Sequence, residues 1–149
     1  MTADFAGAEL ALRKSIAVSA TFDGNHYYLV RMLLVHDQPE AALKEFQAEA
    51  APDAKDAGLA VVYHTLGRKA DSDAALARLI RASGDTWSYS VSIVHAYRGE
   101  RNEAFEWLEK ACESRDADLL VSIRGDPELV PLRADPRYKS LLRKMNLPE

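Results

Sequence analysis

The chain has 149 residues, of which 48% are hydrophobic and 28% charged, and this composition excludes a disordered chain and fits one folded domain. The net charge is -4, and the five basic residues between 133 and 144 are too few for a nucleic-acid footprint. A single cysteine, Cys112, excludes a disulfide or a four-ligand zinc site within one chain.

The N-terminal sequence MTADFAGAEL lacks the basic and apolar regions of a secretory signal. No apolar run in the sequence reaches the length of a membrane span. We therefore expect a cytoplasmic protein that contacts neither membrane nor nucleic acid.

Helices are expected throughout, because Ala and Leu dominate the apolar residues while β-branched residues are scattered. Capping residues separate the periodic stretches, and Gly67 and Gly99 follow two predicted helices as C-cap glycines. The predicted helices cover residues 5–20, 24–36, 39–51, 55–67, 71–83, 86–98 and 102–114.

After residue 116 the pattern changes to shorter pieces. Asp126-Pro127 and Asp135-Pro136 each place an acid before a proline, which predicts an N-cap followed by the first residue of a helix. The last predicted helix, 136–145, turns Tyr138 and Leu141 inward and basic residues outward. Such a helix would cap the end of a repeat array.

A recurring pattern places a small residue, then a large apolar residue four positions later, then a small residue three positions after that. Small residues let antiparallel helices approach closely, and the large residue fills the neighbouring groove. Ala8 and Ala42 lie 34 residues apart, which is the period of a tetratricopeptide unit. The instances are Ala8-Leu12-Ser15, Ala75-Leu79-Ala82 and Ala104-Leu108-Ala111, with a weaker one at Ala42-Phe46-Glu49.

These patterns predict an all-α fold, a superhelix of antiparallel helix pairs with about three and a half degenerate repeats. Helix 5–20 is expected to be an unpartnered second helix that exposes much of its apolar surface. Either the chain is a fragment of a longer protein or a second copy covers this helix. A single domain, 1–149, would consist of this helix, the units 23–54, 55–84 and 85–116, and a C-terminal cap, 117–149.

Four stretches carry a resemblance to a known family: HYYLVRMLLVHDQPEAALKEF, GLAVVYHTLGRKADSDAALARLI, AYRGERNEAFEWLEKACESRD and DPELVPLRADPRYKSLLRKMNLPE. They resemble the degenerate tetratricopeptide region at the C-terminal end of bacterial signalling proteins, including class III adenylate cyclases and winged-helix regulators. The resemblance implies an interaction scaffold without catalytic residues. In such relatives, catalysis or DNA binding resides in a separate N-terminal domain.

Catalytic and metal-binding patterns are missing from the sequence. The four histidines never lie at i, i+4 from one another, and no HExxH, CxxC, GxSxG or Gly-rich phosphate loop occurs. His95 falls on a packing position, and Asp126 and Asp135 are explained by capping. We expect no enzyme, no cofactor and no metal.

A strip on the first helix of each repeat remains as the candidate partner-binding site, because these helices line the inner surface of such a superhelix. Tyrosine and arginine are enriched at binding hot spots. Alternatively, the segment 117–132 folds back over this surface and buries part of it. The strip consists of Tyr27, Arg31, Leu34, Val61, His64, Tyr89, Ile93 and Tyr97.

Two functions are therefore open at this stage. The first is a scaffold that binds a peptide or protein partner in a concave groove. The second is self-association, in which two chains bury the apolar helix 5–20 together.

Overall fold

The structure, a computed structural model, describes residues 5–18, 24–49 and 51–148. The described residues form helices and turns, without strands, and the predicted all-α class is confirmed. The elements are α1 (Phe5–Val18), α2 (Gly24–Val35), α3 (Pro39–Gln47), α4 (Pro52–Thr65), α5 (Lys69–Ser83), α6 (Ser88–Tyr97), α7 (Arg101–Ser114), α8 (Ala117–Ser122), a 3₁₀ helix (Pro127–Leu132) and α9 (Pro136–Lys144).

Helix boundaries follow local chemistry and differ from the predicted ones by a few residues. Helix α4 begins at Pro52 rather than at residue 55, because a proline at the first helical position already has the φ that a helix needs. Gly67 and Gly99 have φ of 70° and 76° and follow α4 and α6 directly, as expected of C-cap glycines. Residues 19, 20 and 50, which the predicted helices include, lie outside the described residues.

The chain forms two compact units, Met1–Ser72 and Asp73–Glu149, which we call unit 1 and unit 2. Their boundary falls inside α5, within the predicted repeat 55–84. The single domain expected over residues 1–149 stays a prediction.

In unit 1, successive helices pack against one another: α1 against α2, α2 against α3, and α3 against α4. The approach of α3 to α4 is close, because a Cβ added at Gly58 would lie 2.1 Å from the ring of Phe46. Ala42, a small residue of the repeat pattern, is fully buried. The core residues of this unit are Leu29, Val30, Leu33, Ala42, Phe46, Leu59, Ala60 and Val62.

In unit 2, α6 packs against α7 and against the 3₁₀ helix, and α7 also contacts α8 and α9. The pattern Ala104-Leu108-Ala111 is fully buried, as expected of small and large residues at a helix interface. Helix α9 buries Tyr138, Leu141 and Leu142 and exposes its basic residues, as its sequence predicts.

The repeat pattern does not mark buried positions everywhere. Ala8 and Ser15 are exposed on α1, and Leu12 between them is half-buried. Ala82 is also exposed, whereas Ala75 and Leu79 of the same instance are buried. A small residue permits a close approach but does not enforce one, because burial also requires a neighbouring helix at that position.

Candidate interaction surfaces

The first surface lies on α2 and α4 in unit 1. Helix α3 packs against both, and α2 and α4 also contact each other. Arg31, Leu34 and Val61 are half-buried, and His64 is exposed. The side chain of Tyr27, the remaining predicted member of this part of the strip, lies outside the described residues.

Helical spacing explains why these side chains share a side of each helix. On α2, Leu29 and Leu33 are fully buried, whereas Arg31 and Leu34, three positions apart, share a less buried side. On α4, Val62 is fully buried, and the adjacent Val61 pairs with His64 at the same i, i+3 spacing. We call Arg31, Leu34, Val61 and His64 the unit 1 strip.

The predicted strip does not continue as an open surface in unit 2. Tyr89 and Ile93 on α6 are only 5% and 9% exposed, and both belong to the core of the unit. Tyr97, at the end of α6, is half-buried. We call residues 117–132 the covering segment: its 3₁₀ helix packs against α6, its helix α8 packs against α7, and its inward residues share one core with Tyr89 and Ile93. Its inward residues Leu119, Ile123, Leu129 and Leu132 are 0–1% exposed.

Two aspartates connect the covering segment to Tyr89. Oδ1 of Asp116 accepts a hydrogen bond of 2.9 Å from the backbone N–H of Asp118, which caps α8. Oδ2 of the same carboxylate accepts a bond of 3.1 Å from the backbone N–H of Tyr89. The Tyr89 hydroxyl donates to Oδ2 of Asp126 at 3.1 Å. Asp116 therefore serves the first turns of two helices, α6 and α8.

The capping role predicted for Asp126 is wrong. Asp126 precedes Pro127 as expected, but its side chain makes no capping hydrogen bond. The carboxylate is buried and accepts from Tyr89 instead, because α6 packs against the 3₁₀ helix and brings a phenol within reach. Asp135, the other acid before a proline, does cap its helix by accepting from the backbone N–H of Arg137 at 3.0 Å.

A charged cluster connects α5 with the end of α6 and the turn that follows it in unit 2. Nδ1 of the buried His95 lies 2.7 Å from Oε2 of Glu100, while its Nε2 is buried without a partner among the described residues. The Arg98 side chain is 5% exposed and donates to Asp73 and, at 2.7 Å, to Oε1 of Glu100. Burial lowers the pKa of Arg98, but these two carboxylates outweigh it and raise that pKa above its ordinary value. His95 is thus buried, as its packing position predicts, and its hydrogen-bond partner lies in the turn that follows its own helix.

Acidic side chains also meet at a depression lined by Asp85, Thr86, Ser114, Asp116, Ala117 and Asp118. The Asp116 carboxylate is already bonded to two backbone N–H groups there. In the part of the chain that the structure describes, no group of three or more His, Cys, Asp or Glu side chains is placed to hold a metal ion. Nor does any helix over residues 5–18, 24–49 or 51–148 have the length and apolar character needed to cross a membrane.

Helix α1 provides a second surface. It packs against α2, and Arg13 pairs with Glu9 at 2.8 Å and with Glu45 on α3 at 2.5 Å, so the helix is not unpartnered as predicted. Two of its apolar side chains are nevertheless exposed, Leu10 by 55% and Val18 by 89%, with the exposed Lys14 between them. Phe5, which the prediction also placed on this surface, has a side chain outside the described residues.

Sequence reasoning raised the covering segment only as an alternative, although a local signal was present. Leu119 and Ile123 lie four residues apart, and Leu129 and Leu132 three apart, which is the spacing of a buried helical face. The bonds from Tyr89 to Asp116 and Asp126 had no such signal, because they join residues 27 and 37 positions apart.

The chain matches no protein-family model, no curated protein and no solved structure. The tetratricopeptide resemblance therefore stays a prediction from the residues of the chain.

Proposed function

We propose that this chain is a tetratricopeptide-like helical scaffold that binds a peptide or protein partner on the unit 1 strip. One observation carries the proposal: Arg31, Leu34, Val61 and His64 lie outside the core on two helices that both pack against α3, whereas Tyr89 and Ile93 are buried in unit 2. A cytoplasmic scaffold in a signalling assembly fits this proposal, and it assigns no catalytic residue.

The composition of the strip suits a binding surface. Leu34 and Val61 offer apolar area that is not fully covered, and Arg31 and His64 offer polar tips beside it. Such a combination gives affinity through the apolar contacts and orientation through the polar ones. Helices held by a packed core also present the strip in a fixed geometry, which reduces the ordering cost of binding.

A displayed library of random peptides, selected on the immobilised intact chain, tests the proposal. We expect enriched peptides to bind the wild-type chain and to lose at least about tenfold in affinity, about 1.4 kcal/mol, when Arg31, Leu34 and His64 of the strip are replaced together by Ala. Circular dichroism of the variant should show unchanged helicity. The matched control replaces Leu120 and Val121 by Ala, since both are exposed and lie on the covering segment of unit 2.

The library experiment has two outcomes that reject the proposed site. One is the absence of any enriched peptide. The other is an enriched peptide that binds the triple variant as tightly as it binds the wild type while the Leu120 and Val121 control weakens it.

A second candidate function, self-association through α1, is favoured by the exposure of Leu10 and Val18 on one helix. In a twofold dimer the same helix from each copy would bury these side chains against its counterpart. Sedimentation equilibrium should then show a dimer that dissociates when both residues are replaced by Gln. Leu120 and Val121, 54% and 80% exposed, are the matched control pair. A monomer at high concentration rejects this candidate.

A further inference from the structure

We infer that the covering segment is a permanent internal occupant of the face of α6, held as part of the core and not as a strap that opens. The consequence for binding rests on the proposed function: a partner that this chain recognises would contact unit 1 and not this face of α6. The occupancy itself concerns unit 2 alone and does not depend on any partner.

Apolar burial is the first reason for permanence. Leu119, Ile123, Leu129 and Leu132 are each at most 1% exposed and belong to one core cluster with Tyr89, Ile93 and residues of α7 and α9. Releasing the segment would expose these four aliphatic side chains together with the parts of α6 and α7 against which the segment packs. Burial of that much apolar surface is a large part of the stability of a small folded unit.

Hydrogen bonds fasten the segment at both of its sides. Tyr89 on α6 donates its backbone N–H to Asp116, which immediately precedes the segment, and its hydroxyl to Asp126 within it. From the other side, the buried hydroxyl of Tyr138 on α9 donates to the backbone oxygen of Ile123 at 2.6 Å. The segment therefore lies between α6 and α9, and its release would break all three of these hydrogen bonds.

A segment that opens to admit a partner would have fewer buried contacts than the covering segment has. Order–disorder switches and lids come from the least stable parts of a protein, with few buried apolar contacts and exposed backbone hydrogen bonds. The covering segment exposes Leu120, Val121 and Val130 on its outer side, but its inner side is fully buried. Its inner side thus forms part of the hydrophobic core, and the face of α6 is not accessible to other chains.

Native-state hydrogen exchange of the intact chain, followed by mass spectrometry at increasing low denaturant concentrations, tests this inference. We expect amides of the covering segment, α6 and α7 to exchange through one common opening with the same denaturant dependence. Ile123→Ala should then reduce the protection of all three by the same factor. Leu120→Ala, on the exposed side of the segment, is the control and should leave that protection unchanged.

Two results overturn the inference. One is a segment whose amides are at least about tenfold less protected than those of α6 and α7, which would indicate a separate opening. The other is saturable binding of a fluorescent peptide with the sequence of residues 116–133 to the intact chain, since such a peptide can bind only if the face of α6 becomes free. Either result can occur whether or not the unit 1 strip binds a partner, so the two proposals fail separately.

Discussion

The hydroxyl of Tyr89 on α6 donates a 3.1 Å hydrogen bond to Oδ2 of Asp126, which lies 37 residues further along the chain. Both side chains are buried. A tyrosine that the sequence places on a partner-binding strip thus faces the C-terminal segment of its own chain. Because the Asp126 carboxylate accepts this bond, it does not cap the 3₁₀ helix that it precedes.

Tyr89→Phe is expected to destabilise unit 2. The ring remains, but a buried carboxylate oxygen loses a donor, and a hydrogen bond to a charged group contributes about 1.5–3 kcal/mol. Urea unfolding followed by tryptophan fluorescence measures the loss, because both tryptophans, Trp87 and Trp107, lie in this unit. Tyr63→Phe in unit 1 is the control, and an equal effect of the two changes on that fluorescence transition would contradict this account.

Asp116→Ala is expected to lower the free energy of unfolding of unit 2 by about 1–2 kcal/mol, the usual effect of losing an N-cap. The change removes the acceptor for the backbone N–H groups of Asp118 and Tyr89 together. Asp116→Asn should retain most of the stability, because an amide oxygen can also cap a helix. The same fluorescence-monitored unfolding measures both variants, with Asp118→Ala as the exposed neighbouring control.

Gly58→Ala is expected to destabilise unit 1 by about 1–3 kcal/mol, the usual cost of overpacking a core. The added methyl group would overlap the ring of Phe46, which is buried. Urea unfolding followed by circular dichroism measures this loss. A double-mutant cycle with Phe46→Leu should show that the two changes are coupled, because the smaller side chain relieves the overlap.

The matched control for this change is Gly125→Ala. A Cβ at Gly125 would have no neighbour closer than 3.9 Å, so this change should have little effect on the free energy of unfolding. Additive effects of Gly58→Ala and Phe46→Leu would show that the close approach of α3 and α4 does not depend on the missing side chain.

The pKa of Asp135 is lowered from 3.8 to about 2, chiefly by the hydrogen bond from the Arg137 side chain and then by the backbone N–H of Arg137. A carboxyl group whose pKa is lower in the folded state stabilises it above the unfolded pKa. This contribution is lost as the pH falls from about 4 through about 2. Carbon NMR of the carboxyl group should therefore show a titration midpoint near 2.

Arg137→Ala should raise that midpoint towards 3.8 without restoring it fully, because the backbone N–H remains as a donor. Lys139→Ala, also exposed on α9, should not change it. A midpoint near 3.8 in the wild-type chain would show that Arg137 does not hold the carboxylate in solution.

The sequence by itself determined the helices and most of their ends. Gly67 and Gly99 at positive φ, and prolines such as Pro136 at a first helical position, act within one turn of the backbone. The apolar spacing in α9 also identified Tyr138 and Leu141 as inward-facing residues, because a helix has one period and one apolar side. Such features depend on neighbours in the sequence and need no knowledge of the fold.

Only the tertiary structure decided which side chains of the predicted partner-binding strip are accessible to a partner. Arg31 and Ile93 occupy equivalent positions in the pattern, yet Arg31 is half-buried on α2 and Ile93 lies in a core. The difference arises from the covering segment, whose place on α6 depends on contacts between residues about 30 positions apart. Helical periodicity shows which side of a helix faces away from the neighbouring helix in sequence, but it does not show which distant part of the chain packs against that side.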